Sequence, residues 1–196
     1  MGKTSLVAIL VLALSSAAYA GWREEASPFD QGRLAHVDQS RDKGLAEAER
    51  GASQSALAAI HGVLDPAPIA GSPEALTGTW RCRTMLLGGM TPDRIYSWFR
   101  CRISEEGGVL HFEKISGTQR MAGDLFPEGD GFVYLGASWV EGEKPRHYSG
   151  SGASVGAPAT PDDWVGRLSL IGEGHARIEL PYPVQESDFA VIELQR

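Results

Sequence analysis

At Gly78 the spacing of apolar residues changes from helical to alternating, and that change constrains the fold more than any other feature of the chain. Successive side chains of a strand point to opposite faces, so an apolar–polar alternation marks a half-buried strand. The alternation predicts strands over 78–87, 94–104, 108–115, 118–126, 131–137, 164–172, 175–181 and 188–194. Gly88-Gly89, Glu106-Gly107-Gly108, Gly129-Asp130-Gly131 and Gly172-Glu173-Gly174 supply turn chemistry between them. Such spacing predicts an up-and-down antiparallel meander, closed as a barrel or folded as a sandwich.

Residues 28–64 read as helix, opened by Pro28 or Asp30. Leu34, Val37, Arg41, Leu45, Ala48 and Ala52 recur near helical spacing, while Gly44 and Gly51 weaken the pattern. Ser53 has the chemistry of an N-cap for a second short helix through Leu57, Ile60 and Leu64, ended by Asp65-Pro66-Ala67-Pro68. The expected fold is mainly β: about eight antiparallel strands preceded by two short helices. The expected organisation is a leader (1–20), a helical segment and linker (21–75) and a β domain (76–196). Residues 141–163, rich in Gly, Ser, Ala and Pro, read as a mobile surface loop, either a lid or a tolerated insertion.

Met1 to Ala20 carries Lys3, an apolar run from Leu6 to Leu14, and Ala18-Tyr19-Ala20 with small residues where a signal peptidase reads. This is the pattern of a secretory signal cleaved after Ala20, and it predicts a periplasmic or secreted protein. No later apolar stretch is long enough for a membrane span. With 25 Asp and Glu against 18 Lys and Arg, the acidic balance argues against a nucleic-acid partner. In an oxidising compartment Cys82 and Cys101 read as one disulfide, the alternative being two buried thiols. Neither a metal site nor a cofactor is expected from two cysteines and five histidines without ligand spacing.

A Cys82–Cys101 bridge would fix an antiparallel register in which the two cysteines are opposed, Trp80 faces Ile103 and Thr84 faces Phe99. The other face would then set Arg81 against Arg102 and Arg83 against Arg100. Like charges opposite one another are destabilising. The four arginines therefore call either for an anionic ligand or for internal partners such as Glu113, Glu179 or Glu193. A second candidate site is the polar run Glu113-Lys114-Ile115-Ser116-Gly117-Thr118-Gln119-Arg120 at a strand–turn–strand junction, where turn chemistry is the alternative explanation. Of this run, Glu113, Lys114, Thr118, Gln119 and Arg120 are the candidate ligand contacts. Gly152-Ala153-Ser154-Val155-Gly156 matches G-x-S-x-G but lacks the strand before it and the helix after it that a nucleophile elbow needs. Asp162-Asp163 reads as a polar lead-in to a strand, and Tyr182, between Pro181 and Pro183, as an exposed turn or an edge breaker. No catalytic set stands out, so no enzyme is expected.

Gly78-Thr79-Trp80 at the start of the meander resembles the G-x-W motif of lipocalins, in which the tryptophan plugs the closed end of the barrel. The resemblance extends to small secreted bacterial inhibitors of metalloproteases, eight-stranded barrels with an early tryptophan and a nearby disulfide. Their N-terminal segment reaches into the protease cleft, whereas here a helical region precedes the barrel. Trp80-Arg81-Cys82-Arg83, Trp98-Phe99-Arg100-Cys101-Arg102, Glu113-Lys114 with Thr118-Gln119-Arg120, Tyr134-Leu135-Gly136-Ala137 and Glu179-Leu180-Pro181 are similar to the signature segments of a bacterial exported family known only as a domain of unknown function. Ser116-Gly117-Thr118 departs from that family's threonine, glycine and serine but keeps both hydroxyls. The expected function is a non-catalytic binding module for a small or anionic ligand, the alternative being a protein–protein interaction module, such as a protease inhibitor or an envelope assembly factor.

Overall fold

The computed structural model describes residues 21–90, 92–150 and 160–196. Residues 1–20, which carry the expected leader, and the G-x-S-x-G match lie outside the described residues. The alternating half forms nine strands: β1 (Gly78–Leu87), β2 (Asp93–Ile95), β3 (Phe99–Glu106), β4 (Val109–Lys114), β5 (Gln119–Glu128), β6 (Gly131–Val140), β7 (Asp163–Gly172), β8 (His175–Pro181) and β9 (Phe189–Gln195). Each pairs antiparallel with its neighbour, and β1 also pairs with β9. Eight strands thereby close into a barrel, which leaves no long unpaired edge. β2 is the extra strand, on the edge of β1 that β3 has left.

Two details differ from the sequence reading. The expected strand 94–104 is broken at Tyr96-Ser97-Trp98. Cys82 lies opposite Phe99 and Met85 opposite Ile95, so one extra residue intervenes on the second strand, as in a bulge. Cys82 and Cys101 do form the disulfide, but diagonally: Trp80, not Cys82, faces Cys101. Diagonal positions share a face, and their 5.8 Å Cα separation is normal for a bridge, so direct opposition was not required. A slip of two residues keeps every side chain on its expected face. It does change partners: Arg81 faces Arg100, Arg102 faces Thr79, and Arg83 lies beside Glu193 of β9.

The helical half forms α1 (Trp22–Glu25), α2 (Pro28–Ala35), α3 (Val37–Gly51), α4 (Gln54–Leu64) and α5 (Pro73–Leu76). Ser27 caps α2 and Ser53 caps α4, each hydroxyl accepting from the backbone N–H three residues on. The first expected helix is divided at His36, whose N–H closes a turn onto the Arg33 carbonyl.

Inward-facing side chains fill the barrel, among them Trp80, Cys82, Cys101, Phe112, Tyr134 and Ile192. Two further apolar clusters lie outside it. Val37, Ala48, Ile60 and Val63 cover Met85, Leu87, Phe189 and Val191. Trp22, Ala26 and Leu34 cover Phe126, Val133, Leu135 and Val165. Gly44, which weakened the helical pattern, is the point of closest approach: a Cβ there would stand 2.8 Å from that of Phe189. Buried ions join the layers. Arg177 of β8 donates to Glu179 and to the carbonyls of Val63, Leu64 and Pro66, satisfying the end of α4. No helix among the described residues is long and apolar enough to cross a membrane.

Candidate functional site

The barrel is closed at one end and open at the other. At the closed end Trp80 is fully buried, and its indole N–H donates to the Leu76 carbonyl of α5 at 2.7 Å. At the open end lies a cavity of about 560 Å³, within the usual range for small-molecule sites. Thr84 and Leu86 of β1, Phe99 of β3, Met121 of β5, Ser138 of β6 and Trp164 of β7 form its wall. Tyr96, Glu143, Arg146, Asp162, Gln185 and Glu186 stand around the rim. Trp164 is held in place by donating its indole N–H to Ser138 Oγ at 2.9 Å.

Lys114, the last residue of β4, points into this end of the barrel and is only 7% exposed. Its Nζ lies 4.1 Å from the centre of the Phe99 ring. It donates to the Ser116 carbonyl at 3.2 Å and to the Gln119 carbonyl. Burial, with the Arg120 guanidinium nearby, pushes its pKa down to about 8. The turn 115–118 packs tightly over it. Gly117 has φ +86, and a Cβ there would collide with the Phe99 ring and meet Lys114 Nζ at 3.0 Å. Ser116 Oγ accepts from the Arg100 N–H at 2.7 Å and ties the turn to β3.

A model of the family described as Domain of unknown function (DUF4893) matches residues 22–194, nearly the whole of the helical and β regions. The chain belongs to this family. The match agrees with the resemblance carried by the Trp80–Arg83, Trp98–Arg102 and Glu113–Arg120 segments. No curated protein and no solved structure matches the chain.

In this DUF4893 domain the nine candidate ligand contacts fall into two groups. Lys114, Thr118, Gln119 and Arg120 line the mouth, Arg120 also pairing with Glu141. Arg81, Arg83, Arg100, Arg102 and Glu113 lie on the outer wall. Arg83 pairs with Glu193 at 2.6 Å and Arg102 with Glu113 at 2.8 Å, whereas Glu179 serves Arg41 and Arg177. The Arg81 and Arg83 guanidiniums lie 4.7 and 4.5 Å from the centre of the Trp98 ring, a stacked arrangement that suits arginine. The arginine face is thus no part of the barrel interior.

A second, open groove of about 770 Å³ runs over the outer wall beside Arg102, Glu113 and His147. There His111 Nδ1 lies 2.8 Å from Asp124 Oδ1, and that hydrogen bond raises the His111 pKa. The other histidines lie apart: His36 against the Gly32 carbonyl, His61 beside Asp65 and His175 beside Glu193.

Sequence reasoning missed Tyr96, Ser138 and Trp164 at the mouth. Ser138 lies one residue beyond the expected strand 131–137 and Trp164 opens the expected strand 164–172, and only closure of the barrel shows which strand ends meet at the mouth. It also missed Asp163, which is buried and accepts from the Ser149 N–H at 3.0 Å and the Ser149 hydroxyl. Tyr148 is held the same way, its hydroxyl donating to Asp30 of α2 at 2.6 Å. The first part of the 141–163 segment is thereby fastened against α2. Residues 151–159 lie outside the described part. Tyr182 takes φ +42, its N–H donating to Ser40 Oγ and the Asp188 carbonyl.

Proposed function

We propose that the protein is an exported, non-catalytic binding module that takes a small, largely apolar ligand into the mouth of its barrel. The observation that carries this reading is the cavity itself, with Leu86, Phe99, Met121 and Trp164 on its walls and a few polar groups at its rim. The leader-like N-terminus and a disulfide between buried cysteines support an oxidising compartment. The test is titration with N-phenyl-1-naphthylamine, a neutral fluorescent probe. Saturable one-to-one binding is expected, and Thr84→Trp, which fills the mouth, should abolish it while circular dichroism stays native. Undiminished binding to a folded Thr84→Trp variant would overturn the reading.

The alternative, an envelope-protein interaction module, is favoured by the outer wall. Arg81 and Arg100 are exposed there beside Trp98, a local basic surface on an acidic chain. In that reading R81A/R100A should abolish partner capture without lowering stability.

A further inference from the structure

We propose that the occupant of the mouth is an anionic amphiphile, its apolar body on the cavity wall and its acidic head against Lys114. This rests on the binding reading above and adds the chemistry of the ligand. A buried charge is stable only when paired or fully hydrogen-bonded. The other two buried cations among the described residues obey this rule: Arg33 lies 2.8 Å from Asp30, and Arg177 3.0 Å from Glu179. Lys114 does not. Its two protein acceptors are neutral carbonyls, and the charge that acts on it is the like charge of Arg120.

The acids around the same opening are engaged elsewhere or lie at the rim. Glu141 pairs with Arg120, while Glu143 and Asp162 pair with Arg146. Glu186 is exposed on the β8–β9 connection, and Tyr96 is the remaining titratable group there among the described residues. An ammonium has three donors, and two are occupied. The third N–H, on a cation that lines an apolar cavity, fits the oxygen of a carboxylate or phosphate head. Leu86, Met121 and Trp164 fit the chain or ring behind it. A simple anion would leave those walls bare, and a neutral amphiphile would leave Lys114 uncompensated.

Calorimetric titration of the protein with decanoate, decanol and acetate at pH 7 tests this. A charge-assisted contact is worth about 1.5–3 kcal/mol, so decanoate should bind roughly 10- to 100-fold tighter than decanol. Acetate should bind far more weakly than decanoate. Lys114→Met should keep decanol binding and lose the preference for decanoate. In the wild type, raising the pH to 9.5 should shrink the preference, because the ammonium of the free protein is then mostly neutral. Equal affinities for decanoate and decanol would overturn the acidic head while leaving the cavity reading intact. Acetate binding as tightly as decanoate would overturn the amphiphile. A preference that survived Lys114→Met or pH 9.5 would overturn the assignment to Lys114. Binding of none of the three would remove the cavity reading as well.

Discussion

The Arg196 guanidinium lies 4.0 Å from the centre of the Trp80 ring and closes the end of the barrel opposite the mouth. Its Nη2 donates to the Leu76 and Thr77 carbonyls at 2.8 and 2.7 Å, and Trp80 donates to the same Leu76 carbonyl. One side chain thus ties the end of β9 to α5 and to the start of β1. Arg196→Ala should lower stability by about 1–2 kcal/mol, the worth of a cation–π contact and the hydrogen bonds together. Thermal unfolding should then show a midpoint lower by several degrees; an unchanged midpoint would refute the lock.

The Tyr134 hydroxyl is buried inside the barrel with no hydrogen-bond partner among the described residues. Burial pushes its phenol pKa well above the ordinary value. Gly123 and Gly136 on neighbouring strands leave the space its ring occupies, and Phe112 packs edge-on at 5.7 Å. Tyr134→Phe removes the orphaned group and keeps the ring. It should raise stability by about 1 kcal/mol, measured by urea denaturation. A loss of stability would mean that the hydroxyl is satisfied in solution.

Arg177→Leu should be among the most damaging substitutions. It leaves three carbonyls at the end of α4 without their donor and strips one of two cations from buried Glu179. The expected loss is about 3–5 kcal/mol. In R177L/E179L part of that loss should return, because the uncompensated carboxylate has gone. A double variant no more stable than the single one would point to the helix end rather than the charge.

The Cys82–Cys101 bridge spans a sequence separation of 19. On a chain-entropy argument it contributes about 3 kcal/mol. C82A/C101A should therefore unfold at clearly lower urea concentration than the oxidised wild type, while retaining its strand signal in circular dichroism. Equal midpoints would show that the barrel does not depend on the bridge.

The pH dependence has two parts of opposite sign. The folded pKa of Lys114, about 8, lies below its ordinary value of 10.5, so between these the unfolded chain binds more protons and stability should rise with pH. Measurement between pH 8 and 9.5 keeps clear of phenol ionisation. His111, raised by Asp124, acts the other way: its contribution is present below its ordinary pKa of 6.5 and is lost as pH rises through the folded value. Lys114→Met should flatten the alkaline rise, and Asp124→Asn the loss near neutrality. Urea midpoints across pH that kept both slopes in these variants would assign the effects to other groups.

The sequence by itself determined seven of the nine strands and the run that divides into β2 and β3, the turn positions, which side chains of the first hairpin share a face, and the helix cap at Ser53. These follow from local rules, since alternation and capping are written into neighbouring residues. It also singled out Lys114, Thr118, Gln119 and Arg120, because a polar excess at a strand–turn–strand junction exceeds what the turn needs. What only the tertiary structure decided is partnership. The diagonal disulfide, Arg81 opposite Arg100 and Arg83 beside Glu193 depend on register, which alternation leaves free in steps of two. That Lys114 shares a cavity with Trp164 depends on the β1–β9 pairing that closes the barrel. Gly44 looked like a flaw in a helix because its reason, the backbone of β1 and the Cβ of Phe189, lies far away in the chain. Contacts made by closing a sheet on itself carry no local signature, and the candidate site is built from them.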